Sequence, residues 1–102
     1  MRPVLEKGAI MQNVIFEEAV CFGEKRGFYF IVTREFMESY GLFYPEAKHG
    51  ELYIECSADE QPDDISVAMS PTKEIDGCMT DYDWRNIEMD RSVTEAILRL
   101  AA

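Results

Sequence analysis

Two segments in the second half of the chain, residues 51–56 and 65–70, alternate strictly between apolar and other side chains. Because successive side chains of a β-strand point to opposite faces, this period of two predicts two strands with one buried face. Residues 57–64 between them are polar and acidic and include Pro62, which predicts an exposed connection between antiparallel neighbours. The apolar members are Leu52, Ile54, Cys56, Ile65, Val67 and Met69.

A β-hairpin is predicted nearer the start of the chain. Residues 14–22 suit a strand, with Glu17 and Glu18 as a bulge or interruption. Residues 23–27 contain two glycines and predict a turn, and residues 28–32 form an unbroken aromatic and β-branched run. Such a run is typical of a strand that is covered on both faces.

Two short helices are predicted after these strands. Thr33 is placed to cap a helix over residues 34–40, and Gly41 stands where helices commonly end. Ser92-Val93-Thr94-Glu95 has the form of a capping box, and the apolar residues after it recur at helical spacing. The apolar stripe of this last helix comprises Val93, Ala96, Ile97 and Leu100.

The two remaining segments are harder to assign. Residues 71–80 are predicted to be a loop with a turn at Asp76-Gly77, and residues 82–89 are either a last strand or an irregular segment around Trp84. Residues 1–102 are expected to form a single α+β domain. We predict a two-layer sandwich, with two short helices packed on one face of a four- to five-stranded, mainly antiparallel sheet.

The chain is expected to be cytoplasmic. No long apolar run follows Arg2, so we expect no secretory signal, and no stretch approaches the ~20 apolar residues of a membrane span. Cys21, Cys56 and Cys78 are too widely spaced for a CxxC pair, and an odd number cannot be fully paired within one chain. Free thiols in a reducing compartment are the simplest interpretation.

Catalytic and metal sites are not indicated. His49 is the only imidazole, in a loop-like context that predicts an exposed side chain rather than a general base. The nearest candidate cation site is residues 81–83, but the positions that follow depart from the EF-hand pattern at 85, 86 and 92. Phosphate-binding glycine motifs are absent from the sequence. We therefore predict no enzyme activity, no cofactor and no bound metal.

Net charge is the outlying property of the composition. The chain carries 20 acidic and 10 basic residues, a net charge of −10, and residues 51–102 hold thirteen of the acids and four of the bases. Such a field disfavours direct contact with nucleic acid or membrane and attracts basic surfaces. The competing interpretation is that the acids serve solubility alone.

The acidic second half also carries aromatic residues, which protein-binding sites favour. Trp84 fits a buried core position equally well. We predict an inhibitory binding protein that blocks the basic nucleic-acid-binding surface of a protein partner, of the same physical type as DNA-mimic anti-CRISPR or anti-restriction proteins. The predicted partner-binding residues are Glu51, Tyr53, Glu55, Asp59, Glu60, Asp63, Asp64, Asp81, Asp83 and Trp84.

An accessory or assembly protein is the alternative function. It would pair through the apolar segment Leu42-Phe43-Tyr44 or through a sheet edge, with a homodimer as one outcome. In that case the charge contributes only solvation. A small enzyme with paired carboxylates ranks third, since the sequence shows no such pair.

Overall fold

The computed structural model describes residues 12–42, 47–57, 65–75, 78–81 and 84–101. Side chains are described for all of these except 73–75 and 78–81. The elements in chain order are β1 (Val14–Phe22), β2 (Lys25–Thr33), α1 (Arg34–Ser39), β3 (His49–Ser57), β4 (Ser66–Ile75), β5 (Cys78–Asp81), β6 (Arg85–Asn86), α2 (Arg91–Leu98) and a 3₁₀ turn (Arg99–Ala101).

The strands form an antiparallel sheet in the order β1-β2-β3-β4-β5, and the two-residue β6 also pairs with β4. An antiparallel sheet with two short helices confirms the α+β class. None of the helices in the described ranges is long and apolar enough to cross a membrane.

The predicted hairpin is confirmed as β1 and β2. The pairing shifts between Phe16 and Glu18, which confirms a bulge at the two adjacent glutamates. The turn is tighter than predicted, because β2 already begins at Lys25 and leaves only two residues, Gly23 and Glu24, between the strands. Gly23 has a φ of +62°, a conformation that glycine adopts without steric cost.

Helix α1 is confirmed with the predicted cap. The Thr33 hydroxyl accepts a hydrogen bond from the Phe36 amide at 3.3 Å and donates one to Asn13 Oδ1 at 2.6 Å. The helix ends at Ser39, and Gly41 follows with a φ of +80°. Phe36 and Met37 of α1 are buried in the core. Their burial stabilises this six-residue helix, because so short a helix is only marginally stable on propensity alone.

One hydrophobic core combines both helices with alternate residues of the strands. The alternation of β3 is confirmed at Leu52 and Ile54, which have no exposed surface. Cys56, the third apolar residue of the pattern, is only half-buried. In β4, Val67 and Met69 are buried as predicted. The buried hydrophobic residues are Val14, Phe30, Val32, Phe36, Met37, Leu42, Ala47, Leu52, Ile54, Val67, Met69 and Ile97.

The prediction of a loop over residues 71–80 is wrong. Strand β4 continues through Pro71 to Ile75, and β5 pairs with its last four residues. Pro71 is tolerated because it lies between the β6 pairing, which reaches Met69, and the β5 pairing, which begins at Thr72. At that gap its missing amide hydrogen removes no ladder bond on that edge. The predicted turn at Asp76-Gly77 lies outside the described residues.

Ser70 was predicted to point to a wet face, and this is also wrong. Its side chain is fully buried, and its hydroxyl donates to the Pro71 carbonyl oxygen at 3.1 Å. A buried hydroxyl needs such a partner, because leaving it without one costs about 1–3 kcal/mol. The face expected to be solvated is therefore partly covered at this end of β4.

The predicted capping box of the last helix is not formed. Helix α2 begins at Arg91 with Asp90 as its N-cap residue, so Ser92 lies inside the first turn. Arg91 and Glu95 form an ion pair at 3.3 Å, the i,i+4 geometry of a helix surface, which occupies the glutamate of the box. The predicted apolar stripe is confirmed in that Ile97 is buried and Val93 and Leu100 pack against the core.

The segment around Trp84 combines both alternatives that the sequence left open. Residues 85 and 86 form β6, and the Ile87 amide then donates to the Val67 carbonyl oxygen at 2.9 Å. Residues 87–90 have no regular secondary structure. This segment follows the edge of β4 and leads directly into α2.

Candidate binding site on the outer face of the sheet

The side chains that alternate with the core residues of β1 to β4 form what we call the outer face of the sheet. Because residues directly opposite one another in antiparallel strands share a face, the register defines its central row. That row runs across five strands as Glu18, Tyr29, Tyr53, Ala68 and Asn86.

Three aromatic rings meet on this row, and we call them the aromatic triad: Tyr29, Tyr53 and Trp84. The centroids of the two tyrosine rings are 4.7 Å apart. The Trp84 ring lies 6.4 Å from Tyr53 and 6.5 Å from Tyr29, both in edge-to-face orientation. These are the separations at which aromatic pairs attract one another. Trp84 is 42% exposed, so it is a surface residue rather than a core residue.

A hydrogen-bonded pair and an ion pair fix the position of Tyr53. Its hydroxyl donates to Glu55 Oε2 at 2.8 Å, and Lys25 Nζ lies 3.1 Å from Glu55 Oε1. The Tyr53 hydrogen bond, followed by that of Lys25, lowers the pKa of the Glu55 carboxyl. Burial and then the same hydrogen bond raise the pKa of Tyr53. At neutral pH the pair therefore consists of a phenol donor and an ionised carboxylate.

Gly27 makes room for the Tyr53 ring. A Cβ atom at Gly27 would lie 2.5 Å from Tyr53 Oη and 2.6 Å from Cε1, closer than non-bonded atoms approach. The ring thus lies directly over the backbone of β2. Together with the Glu55 hydrogen bond, this contact holds the ring in one orientation.

Two further apolar residues of β1 are exposed on the same face. Ile15 is 65% exposed and lies opposite Ile31, and Phe22 is 46% exposed and lies opposite Lys25. With Trp84 and the exposed Glu18 they make the outer face a mixed surface of apolar and acidic groups.

The structure brings together four of the predicted partner-binding residues. Glu51, Tyr53 and Glu55 are half-buried along β3, and Trp84 contacts Tyr53. Asp81 is the last residue of β5, and its side chain is outside the described part. The remaining predicted residues, Asp59, Glu60, Asp63, Asp64 and Asp83, lie outside the described residues.

The sequence-based prediction missed Tyr29 and Glu18 as members of the site. Tyr29 was assigned to a strand covered on both faces, whereas its ring packs with the triad on the outer face. Glu18 was recognised only as part of a bulge. Pairing the hairpin in register from the bulge would have aligned Glu18 with Tyr29, but that register depends on the exact turn length.

His49 and Cys56 lie near opposite ends of β3, so the structure does not bring this imidazole and this thiol together. His49 is not an exposed loop residue as predicted: it is the half-buried first residue of β3, and its carbonyl accepts from Thr72 Oγ1 at 2.9 Å. Cys21 and Cys56 are free thiols, two strand spacings apart on either side of Arg26. At about 9.6 Å this exceeds the reach of a disulfide.

Burial raises the pKa of the Cys56 thiol, which disfavours the reactive thiolate. Within the ranges that the structure describes, no three His, Cys, Asp or Glu side chains lie close enough to hold a metal ion. The functional groups at this site are aromatic rings and carboxylates.

Comparisons with known proteins place the chain in no family. A scan against protein-family models and searches of the curated proteins and of the solved structures found no match.

Substitution of Gly27 by alanine tests the close approach of Tyr53. We expect Gly27→Ala to lower the free energy of unfolding by about 1–2 kcal/mol, since the added methyl group displaces the ring and breaks its contacts. In a Tyr53→Ala background the same change should be neutral or slightly stabilising, because alanine restricts the unfolded chain. Urea unfolding of the four proteins gives the coupling energy, and equal costs in both backgrounds would contradict the proposed contact.

The acid dependence of stability tests the Tyr53–Glu55 pair. The folded-state pKa of Glu55 is lowered, so its contribution is fully present above the ordinary value of 4.5 and disappears as pH falls through the folded value. We expect Tyr53→Phe to lose about 0.5–1.5 kcal/mol at pH 7. That difference should shrink below pH 4.5 in urea unfolding series. A difference independent of pH would contradict the role of the ionised carboxylate.

Proposed function

We propose that this chain is a small, acidic, non-catalytic binding protein of the cytoplasm that blocks the basic nucleic-acid-binding surface of a protein partner. The observation that carries the proposal is the outer face, where exposed aromatic and aliphatic side chains are interspersed with carboxylates. We further propose that the two helices pack on the opposite face in a two-layer arrangement, which leaves the outer face accessible to the partner except where it is covered around the buried Ser70. Inhibitors of the anti-CRISPR or anti-restriction type that mimic DNA likewise use an acidic surface to block the nucleic-acid-binding surface of a partner.

Long-range charge supports a basic partner. A net charge of −10 on 102 residues repels nucleic acid and anionic lipid and raises the encounter rate with a basic surface. The half-buried Glu51 and Glu55 and the exposed Glu18 extend this field onto the outer face itself. The same groups that solvate the protein thereby select the sign of its partner.

Mimicry of duplex DNA requires more than one element of this fold. Duplex DNA carries one charge about every 1.7 Å of axis, whereas side chains on one face of a strand recur about every 6.7 Å. Strand β3 alone therefore supplies too few charges. We propose that the acids of residues 57–64 and 74–90 complete the surface that the partner recognises.

Reversing the acids of residues 59–64 tests this function. The variant Asp59→Lys, Glu60→Lys, Asp63→Lys, Asp64→Lys should bind the partner at least ten-fold more weakly, because each close like-charge contact opposes binding. The partner is the protein captured in the pulldown described below. The matched control reverses four exposed acids outside these two ranges: Glu17, Glu24, Glu35 and Glu95. It changes the net charge equally and should lose less, with circular dichroism confirming that both variants fold.

The measurement is a pulldown from a lysate of the native host, eluted in steps of rising salt and, separately, with added nucleic acid. Elution of a nucleic-acid-binding complex by both treatments, with loss of capture in the variant reversed at residues 59–64, supports the proposal. Undiminished capture by that variant would overturn it.

An accessory or assembly function is the second candidate, and the exposed Ile15 and Phe22 favour it. The apolar segment first proposed for it is wrong at Leu42, which is buried in the core, and Phe43 and Tyr44 lie outside the described residues. Edge pairing through β1 is also disfavoured, because a bulge with two adjacent glutamates opposes the addition of another strand. Apolar pairing would instead use the outer face.

The double variant Ile15→Ser, Phe22→Ser distinguishes this candidate. If apolar contact dominates, the variant should abolish capture of the partner, or convert a homodimer to a monomer in light scattering, at 1 M salt. At that ionic strength the Debye length is only about 3 Å, so charge contributes little. Binding that vanishes at 1 M salt in the unmodified protein would contradict apolar pairing.

A further inference from the structure

We propose that the aromatic triad, together with Glu18, is a subsite for an arginine side chain of the partner. This inference rests on the proposed function, since it specifies the chemistry by which a basic partner is held. A guanidinium stacked on the exposed Trp84 ring would gain a cation–π interaction, and a carboxylate on the same row would balance its charge.

The geometry of the triad provides the stacking surface. Trp84 precedes β6 yet contacts Tyr29, which is three strands away along the sheet order. Ala68 lies between them in the central row, and its methyl group leaves room for the indole to lean across β4. Trp84 remains 42% exposed in this position, so part of the ring is available to a partner.

The electrostatic environment favours a cation over a nucleic-acid base. Aromatic platforms that stack bases lie in positively charged grooves that hold the phosphates. Here the residue opposite Tyr29 is the exposed Glu18, and Glu55 lies two residues beyond Tyr53 on the same face. These carboxylates would repel a phosphate backbone and attract a guanidinium.

Glu18 is the carboxylate of this row that we assign to the incoming cation. Glu55 already accepts from Tyr53 and contacts Lys25, so its role is to position the ring. Arginine is favoured over lysine because its planar guanidinium stacks on a ring and donates to a carboxylate at the same time, and because it is more weakly hydrated.

The triad is also preorganised. Tyr53 is held by the Glu55 hydrogen bond and by the backbone at Gly27, and its ring packs with both other rings. Ordering flexible side chains costs about 0.5–1.5 kcal/mol each on binding, and rings that are already fixed avoid most of that cost. A rigid aromatic anchor beside a carboxylate is therefore well suited to specific recognition.

Because Trp84 is the only tryptophan of the chain, its fluorescence reports on this subsite directly. The first experiment titrates the intact protein with hexa-arginine and, separately, hexa-lysine peptides at 150 mM salt. We expect hexa-arginine to change the Trp84 emission saturably. Hexa-lysine, with the same charge, should bind more weakly and change the emission less.

Variants then separate stacking from charge, with fluorescein-labelled peptides and anisotropy as the readout. Trp84→Leu should reduce the ratio of hexa-arginine to hexa-lysine affinity by about two- to five-fold, the strength of an exposed cation–π contact, while Trp84→Phe should retain most of the ratio. Glu18→Gln should weaken hexa-arginine binding more than the matched control Glu24→Gln. Glu24 loses the same charge in the hairpin turn, roughly 16 Å along the strand from Tyr29.

The outcomes distinguish this inference from the proposed function. Equal affinities for the two peptides, or a ratio unchanged in Trp84→Leu, would overturn the arginine subsite while leaving a basic partner in place. The ratio of hexa-arginine to hexa-lysine affinity could fall in Trp84→Leu as expected while neither salt nor nucleic acid elutes the captured partner. That result would overturn the proposed function but not the preference for a guanidinium. Loss of the ratio in Trp84→Leu with folding intact supports the subsite.

Discussion

Burial of one row of side chains across β2 to β4 sets the arrangement of the centre of the sheet. Phe30, Leu52 and Met69 lie opposite one another and have no exposed surface. A slip of one residue in any pairing would turn every side chain of that strand to the other face, so burial of this row specifies the register. The helices reinforce it by adding Phe36 and Ile97 to the same core.

The same register creates the outer face. Once Phe30 and Leu52 point into the core, their neighbours Tyr29 and Tyr53 must point to the other face and lie opposite each other. Small residues then decide how the rings pack, because Gly27 admits the Tyr53 ring and Ala68 leaves space for Trp84. The candidate site is thus a direct consequence of core packing together with two positions that have little or no side chain.

Local patterns in the sequence were sufficient for the elements whose stabilising contacts are local. The bounds of β1, its bulge, the Thr33 cap and the alternation in β3 depend on neighbours in the chain, and they were predicted. The continuation of β4 through Pro71 depends on which residues face it across the sheet, so the local sequence predicts that the strand ends before the proline. The Trp84–Tyr29 contact joins residues 55 positions apart and needs the register of three strand pairings, which explains why Tyr29 was missed. Likewise, the capping box predicted at Ser92 is not formed, because residues 87–90, which run along the edge of β4, bring Asp90 to the start of α2.

In the proposed complex, the acidic and apolar components of the outer face would act on different steps of association. Charge acts over about a Debye length and mainly changes the rate at which partners meet, whereas desolvated rings act only after contact and mainly change the rate of dissociation. A protein with charge alone would bind many basic surfaces weakly, and one with exposed rings alone would have little preference for the sign of its partner. Carboxylates and aromatic rings on one rigid sheet face combine both effects, since Glu18 and Tyr29 stand opposite each other in the same row. In the proposed complex, the pairing of these two residue types, more than the total charge, would select the class of partner.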